Sequence, residues 1–389
     1  MRIRHFLSSL HPKFGGPTAS VPVQCCGLET QGADVTLVTY TESRPFEEKL
    51  KKQGVAIVDF ERPSSKIAQI LHLPLKSLLA KDDDADIYHY HGVWMPSNHW
   101  VSKYARKHGK KTVLNPRGDL EIARINYNRW KKLKKKIVWR LYGKKDTQKV
   151  SCIITTSEQE KQAVRYLGIT APIAIIPNGI EIDAYPTTIT HKSHEKKTIL
   201  FLSRVNPIKG IEYLLDAWAE IPKTDRVNWQ IHIAGNSDPK DYVNELERKT
   251  KELGLSDTVL FVGPITGADK LEKYQNCDLF VLPTLNENFG NVVAEAMMCE
   301  LPVITTKNAP WRVLEDYKCG WWIDLSVDNL KKALCEAMSL TEEERWKLGE
   351  KGKRCIEENF ASEVVAKKTI AVYKWILGQA EKPDFVEVI

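Results

Sequence analysis

Two glutamates separated by seven residues, Glu287 and Glu295, stand on either side of Asn288-Phe289-Gly290-Asn291-Val292. The apolar run Leu279–Leu282 before them has strand character, and the residues from Val292 to Met297 have helical composition. The middle is therefore a strand-to-helix turn. In an open parallel sheet the crevice lies beyond the carboxyl ends of the strands, and the N–H groups of a helix start offer an anion site there. Gly290 lets backbone come close to a ligand, Glu287 precedes the turn, and Glu295 sits about one turn inside the helix. A carboxylate repels phosphate but accepts paired hydrogen bonds from vicinal hydroxyls. Two glutamates flanking an amide-lined anion site thus suit a phosphate with sugars on both sides, a nucleotide sugar. A plainer reading also exists, because the helix macrodipole alone favours an early Glu and strand-turn-helix units with a Gly are common.

Other strand exits carry matching chemistry. After the strand Thr198–Leu202 comes Ser203-Arg204-Val205-Asn206-Pro207-Ile208-Lys209-Gly210, two cations five apart before a helix. Such a pair can hold a diphosphate from two sides. Near the amino terminus the strand Ile3–Leu7 leads to Gly15-Gly16 and an apolar helical segment, a second place for close backbone approach. It lacks the spacing G-x-G-x-x-G, so no nicotinamide cofactor is indicated. In the strand over 86–91, alternation puts His89 and His91 on one face, with His91 last before Gly92. A histidine there either faces the crevice or is a hydrogen-bonded structural group; the structural reading is preferred for His89. The strand Lys111–Leu114 exits through Asn115-Pro116-Arg117-Gly118, which turns Arg117 toward the same crevice.

These exits need sheets to hold them. The chain of 389 residues exceeds one ordinary core, so two domains are expected. Each half alternates strands and helices with Gly-rich exits, which predicts an α/β fold of two Rossmann-like domains facing across a cleft. Further strands are expected at Asp34–Thr39, Val55–Asp59, Cys152–Thr156, Ile173–Ile176, Trp229–Ala234 and Val259–Val262, with helix near 64–80 and over Val364–Gly378. Polar, aperiodic sequence over 187–197 reads as the linker, placing the domains at 1–186 and 198–375. Asp82-Asp83-Asp84 precedes a strand, at the end away from the crevice, and reads as a solvated loop.

Composition narrows the class. The eight cysteines include no C-x-x-C pair and read as reduced core thiols. No leader or membrane span is recognisable, so a cytoplasmic protein is expected. The net charge of +7 is local, since residues 101–150 hold 17 Lys/Arg against 3 Asp/Glu. Within that region, Asn128–Tyr142 places Trp130, Leu133, Ile137 and Leu141 at helical spacing among Lys131, Lys132, Lys135 and Lys136. Such a helix fits an anionic membrane, an acidic polymer, or a solvated face packed by its apolar stripe.

Taken in order, Gly15-Gly16, His91-Gly92-Val93-Trp94, Asn115-Pro116-Arg117-Gly118, Pro177-Asn178-Gly179, Arg204 to Lys209-Gly210 and the Glu-x7-Glu of Glu287 and Glu295 resemble the family-4 retaining glycosyltransferases of the GT-B fold. The resemblance spans essentially the whole chain. It implies that Arg204 and Lys209 bind the donor diphosphate with amides near Gly290, Asn291 and Val292 and the Gly15-Gly16 loop. Glu295 would hold the ribose, Glu287 the transferred sugar, and the backbone of Gly263, Pro264 and Ile265 the base, with Asn288 and Phe289 also in the donor site. His91 would contact the sugar near the reacting carbon, Arg117 would lie on the acceptor side, and 376–389 would cross back to the first domain. Asn308-Ala309-Pro310-Trp311 and Asn286 depart from the family pattern and leave donor choice open.

The reading that follows is a metal-independent retaining hexosyltransferase with no cofactor. Its donor would be a nucleotide-diphosphate sugar, UDP- ahead of GDP-. Its acceptor would be a saccharide or a polyprenyl-diphosphate-linked saccharide, the lipid-linked form preferred, in surface polysaccharide assembly (O-antigen, capsule or lipopolysaccharide). Helix 128–142 would bring it to the inner face of the cytoplasmic membrane, and no nucleic-acid partner is expected. Alternatives are a nucleotide-sugar epimerase of the same fold and a non-catalytic saccharide- or membrane-binding protein.

Overall fold

A computed structural model of the chain describes residues 1–11, 15–40, 46–60, 75, 79, 85–121, 129–190, 193 and 195–389. Apart from the buried Leu75 and Leu79, the helical stretch expected near 64–80 lies outside the described residues, as do Asp82–Asp84 and Asn128. Fourteen strands run through the described chain: β1 (Arg2–Phe6), β2 (Asp34–Tyr40), β3 (Ala56–Phe60), β4 (Ile87–His91), β5 (Lys111–Asn115), β6 (Cys152–Thr155), β7 (Ile173–Ile175), β8 (Lys197–Leu202), β9 (Trp229–Ala234), β10 (Val259–Gly263), β11 (Leu279–Leu282), β12 (Val303–Thr306), β13 (Gly320–Ile323) and β14 (Val386–Glu387). They form two compact units. The N-terminal unit is Met1–Ile180 with Phe360–Ile389, and the C-terminal unit is Glu181–Asn359.

The sheet of the N-terminal unit has the order β14-β7-β6-β5-β4-β1-β2-β3, parallel except for β14, which runs antiparallel to β7. Helices cover both faces, so the central strands are buried on both sides and read as nearly unbroken apolar runs. Strand order reverses between β1 and β4, whose registered partners include His5 with His89. Tyr88 and Tyr90 of β4 enter the core on one face, which leaves His89 and His91 on the other. That second face is roofed by the helices Pro17–Thr30 and Ser362–Ile376. The two helices pack so closely that a side chain on Gly27 would meet the Ser362 carbonyl at 3.0 Å and the Ala366 Cβ at 3.3 Å.

The sheet of the C-terminal unit is wholly parallel, in the order β10-β9-β8-β11-β12-β13. Its reversal falls between β8 and β11. Each unit is thus a doubly wound Rossmann-type sheet with its own switch point, as the strand and helix alternation predicts.

The boundaries differ from those expected. The segment read as a linker, 187–197, belongs to the C-terminal unit: Ile189 is buried, and the Lys353 ammonium donates to the carbonyls of Pro186 at 3.1 Å and Thr187 at 2.6 Å. The chain therefore passes between units at Ile180–Glu181 and returns at Asn359–Phe360 rather than near 376. The apolar face of Ser362–Ile376, with Val365, Ala366, Val372, Tyr373 and Ile376 buried, fixes this early return. The cysteines are free thiols, seven of them buried. Among the described residues, no helix is long and apolar enough to cross a membrane.

Candidate active site

At the switch point of the C-terminal unit the exits of β8 and β11 lie side by side. Their backbones touch: Leu285 N donates to the Ile208 carbonyl at 2.8 Å, and the Thr284 hydroxyl donates to the same oxygen at 3.1 Å. Gly210 makes this approach possible, with φ of 69° and a virtual Cβ only 2.0 Å from the Pro283 carbonyl oxygen. No other residue fits both demands. The result places the Lys209 ammonium directly on Glu287 Oε2, an ion pair with side chains 8% and 13% exposed. Arg204 is different, since it reaches outward to Asp238 at 3.2 Å and is more than half exposed.

Gly290, φ 83°, starts the helix Asn291–Met298. A Cβ there would press on Glu287 Cγ at 3.0 Å and on the Trp311 indole nitrogen at 3.4 Å. Trp311 is fully buried and its Nε1–H donates to the Phe289 carbonyl at 2.6 Å, which holds the turn from behind. Asn288 and Phe289 are buried in the turn, while Asn291 and Val292 are partly exposed at the helix start. One turn into the helix, Glu295 Oε2 accepts from the Tyr274 hydroxyl at 2.9 Å and pairs with the Lys270 ammonium at 2.5 Å. Burial, and then the charge of Glu295, push the Tyr274 phenol well above its ordinary range, so it stays a donor. Gly263, Pro264 and Ile265 leave the end of β10 with Gly263 at φ 73°, and both Gly263 and Ile265 are partly exposed.

In the N-terminal unit the switch point gathers Gly15-Gly16 after β1 and His91 at the end of β4. Gly15 has φ of 82°. His91 is only 4% exposed, and both ring nitrogens are taken: Nδ1 accepts from Arg117 Nε at 3.3 Å, and Nε2 faces His5 Nδ1 at 3.1 Å. Arg117, expected to point outward to an acceptor, is 8% exposed, and its guanidinium is directed inward to His91, Gln24 and Asn178. His5, His89 and His91 bring nitrogens within 4.8 Å of one another. His89 is nevertheless engaged by the Tyr373 hydroxyl at 2.5 Å and by Asn115 Oδ1, and a fixed guanidinium stands beside His91. That is the chemistry of a hydrogen-bonded core, not of a cation site.

The family described as "Glycosyltransferase Family 4" matches residues 14–184, and that described as "Glycosyl transferases group 1" matches residues 188–355. Together they take in most of both sheets and the residues from Gly15 to Trp311 named above, with β1, His5, Tyr373 and β14 outside the matched ranges. The chain belongs to the family-4 glycosyltransferases. This is a retaining family with the GT-B fold. The chain is 30% identical over 186 residues to the uncharacterized glycosyltransferase MJ1607 of Methanocaldococcus jannaschii, covering 46% of this chain and 45% of that one. It thus spans about half the length of the curated relatives it matches. Anabaena HepE, solved with UDP and glucose, superposes with a TM-score of 0.73 at 18% identity over 95% of this chain and 98% of that one. WaaG, a glycosyltransferase involved in lipopolysaccharide biosynthesis, does so with 0.69 at 17% over 97% and 100%.

Lys270 and Tyr274, which hold Glu295, are not singled out in the sequence. They stand four apart on the helix Ala268–Gln275, which follows the Gly263–Gly267 exit and so faces the same edge of the sheet. A cation and a hydroxyl at that spacing after a crevice loop were the available signal. The basic helix also departs from expectation. It runs Arg129–Val138, continues through a wider π turn over Trp139–Gly143, and resumes over Lys144–Gln148. Trp139 packs inward against Trp94 at 6.1 Å, whereas Leu133, Ile137 and Leu141 are 50%, 50% and 73% exposed.

Proposed function

We propose that this protein is a metal-independent retaining hexosyltransferase. It moves a sugar from a nucleoside diphosphate sugar, UDP- ahead of GDP-, to a saccharide acceptor that is lipid-linked, in surface polysaccharide assembly. The carrying observation is the Lys209–Glu287 pair beside the Gly290 helix start at the β8–β11 switch point. An ammonium has three donors, so Lys209 can hold Glu287 and still meet a phosphate oxygen. The helix-start amides and Arg204 supply further positive potential for the leaving diphosphate, the role a divalent ion plays elsewhere. Glu287 then accepts from hydroxyls of the transferred sugar. Glu295, anchored through Oε2, turns its other oxygen to a ribose diol, and Gly263–Ile265 meet the base. In the N-terminal unit Gly15-Gly16 is assigned to the phosphate and His91 to the sugar through its backbone at the β4 exit, since both ring nitrogens are engaged. The bond from the anomeric carbon to the phosphate oxygen breaks as the acceptor oxygen bonds on the same face, and the acceptor's proton passes to the leaving phosphate. The UDP choice draws support from HepE with UDP and glucose, and the pathway from WaaG.

The test is nucleoside diphosphate release from UDP-glucose, with and without a saccharide acceptor panel and in excess EDTA. Acceptor-dependent release that survives EDTA is the expected result. Release without acceptor points to an epimerase instead, and loss on chelation restored by Mn²⁺ removes the metal-independent account.

The acceptor's lipid anchor requires a membrane approach, and the basic helix supplies it. Leu133, Ile137 and Leu141 form one exposed apolar stripe, bordered by the exposed Lys134, Lys136 and Arg140. Each cation near an anionic leaflet contributes about 1 kcal/mol, and about 1 M salt shrinks the screening length to about 3 Å. Co-sedimentation with phosphatidylglycerol vesicles but not with neutral ones is expected at low salt. It should weaken in Lys134→Glu with Lys136→Glu and in Leu133→Asn with Ile137→Asn. Equal recovery with both vesicle types would contradict this part.

A further inference from the structure

Three motifs of the N-terminal unit, each at a different strand exit, and the helix after Gly15-Gly16 meet at one side chain. Arg117, after β5, sends Nε to His91 Nδ1 at the end of β4 and Nη2 to Gln24 Oε1 at 2.9 Å. Its Nη1 reaches Asn178 Oδ1 beyond β7 and lies 3.5 Å from the Ser20 hydroxyl. Ser20 and Gln24 belong to the helix that begins just after Gly15-Gly16. The backbone of Arg117 lies at φ 57°, a left-handed conformation unusual for a residue with a side chain, and Gly118 beside it is held by Glu160, which accepts from the Gly118 amide at 2.5 Å. Strain of this kind persists only where the surroundings enforce it.

Hydrogen-bond direction follows from the donors. A guanidinium only donates, so His91 Nδ1 accepts and the proton of the neutral ring sits on Nε2, which donates to His5 Nδ1. His5 in turn carries its proton on Nε2, an atom buried without a partner. We propose that Arg117 is a positioning residue, which locks the His91 imidazole neutral with its proton on Nε2 and ties the exits of β4, β5 and β7 to the helix after Gly15-Gly16. This rests on the transferase reading, in which the β4 exit serves the sugar through the His91 backbone and the ring, engaged at both nitrogens, fixes that exit. The groups facing His91 are His5 from β1, His89 from β4 and Arg117 from the β5 exit. Facing Arg117 in turn are Cys25 from the helix Pro17–Thr30, Glu160 from the helix Glu158–Tyr166 and Tyr373 from the helix Ser362–Ile376. Burial, then the Arg117 charge, hold His91 well below the ordinary histidine range, and burial brings Arg117 down to about 10.

The experiment is ¹⁵N NMR of the histidine rings in the full-length protein, with His91 assigned through His91→Gln. The wild type should show His91 neutral, with Nε2 protonated and Nδ1 bare, from pH 8 down to about pH 5.5. In Arg117→Met, and less so in Arg117→Lys, the second tautomer should appear and the ring should titrate at higher pH. With UDP-glucose and an acceptor, Arg117→Met should lose about 10- to 100-fold in kcat while donor KM moves less than about threefold. A wild-type His91 that is cationic at pH 6, or protonated on Nδ1, overturns the proposal without any substrate present. Wild-type kcat in a folded Arg117→Met overturns it too. Absence of UDP release by the wild type would count against the transferase reading, which the ring spectra do not address.

Discussion

Lys209→Ala is expected to lower kcat/KM for the sugar donor by about 10²- to 10³-fold. The substitution removes a nearly buried cation from the place where negative charge grows as the diphosphate leaves. It also strips Glu287 of its partner, and a bare carboxylate there repels the incoming phosphates. Arg204→Ala should cost less, about tenfold, because Arg204 is exposed and its pairing with Asp238 is screened by solvent. Steady-state kinetics at subsaturating donor check both, with circular dichroism to show that each variant is folded. Near wild-type turnover in Lys209→Ala would remove the diphosphate assignment.

The second large effect is on stability in acid. Burial, with Arg117 adding to it, brings His5 down to about 3, and burial holds His89 and His91 well below the ordinary value of 6.5. These folded values lie below the unfolded one, so below 6.5, and for His5 down to about 3, the unfolded chain binds more protons and stability falls as pH falls. Each histidine contributes up to about 1.4 kcal/mol per pH unit in that window. The three act in the same direction, so acid destabilises the N-terminal unit. Glu160, whose carboxyl is raised by burial, acts in the opposite sense just above 4.5. Urea midpoints at pH 7.5, 6.5 and 5.5 should therefore drop below pH 6.5, and His89→Gln should flatten the slope by one group's share. A midpoint constant over that range would contradict the neutral, buried cluster.

The fold was legible because strands buried on both faces announce themselves as apolar runs, and because Gly and Pro mark their exits. The site was legible where chemistry and backbone demands coincide: Gly290 between Glu287 and Glu295, and Gly210 after Lys209, are needed for turns that also bring charges together. The polar residues that are buried were harder to read. Arg117 was expected to face a crevice, yet it is the interior tie of its unit, since nothing local distinguishes an inward arginine from an outward one. Lys270 and Tyr274 reach Glu295 only because β10 and β11 fold to the same edge of the sheet. In the basic helix periodicity groups Leu133, Ile137 and Leu141 on one stripe, but it does not tell that this stripe stays exposed while Trp139 turns inward to Trp94.

The central claim is sugar transfer from a nucleoside diphosphate with retention at the anomeric carbon. Proton NMR of the first-formed product, followed from mixing with UDP-glucose and a saccharide acceptor in EDTA, tests it most directly. The product should carry the α configuration of the donor before any mutarotation, with UDP appearing in equal amount. A β-linked first product would contradict the account.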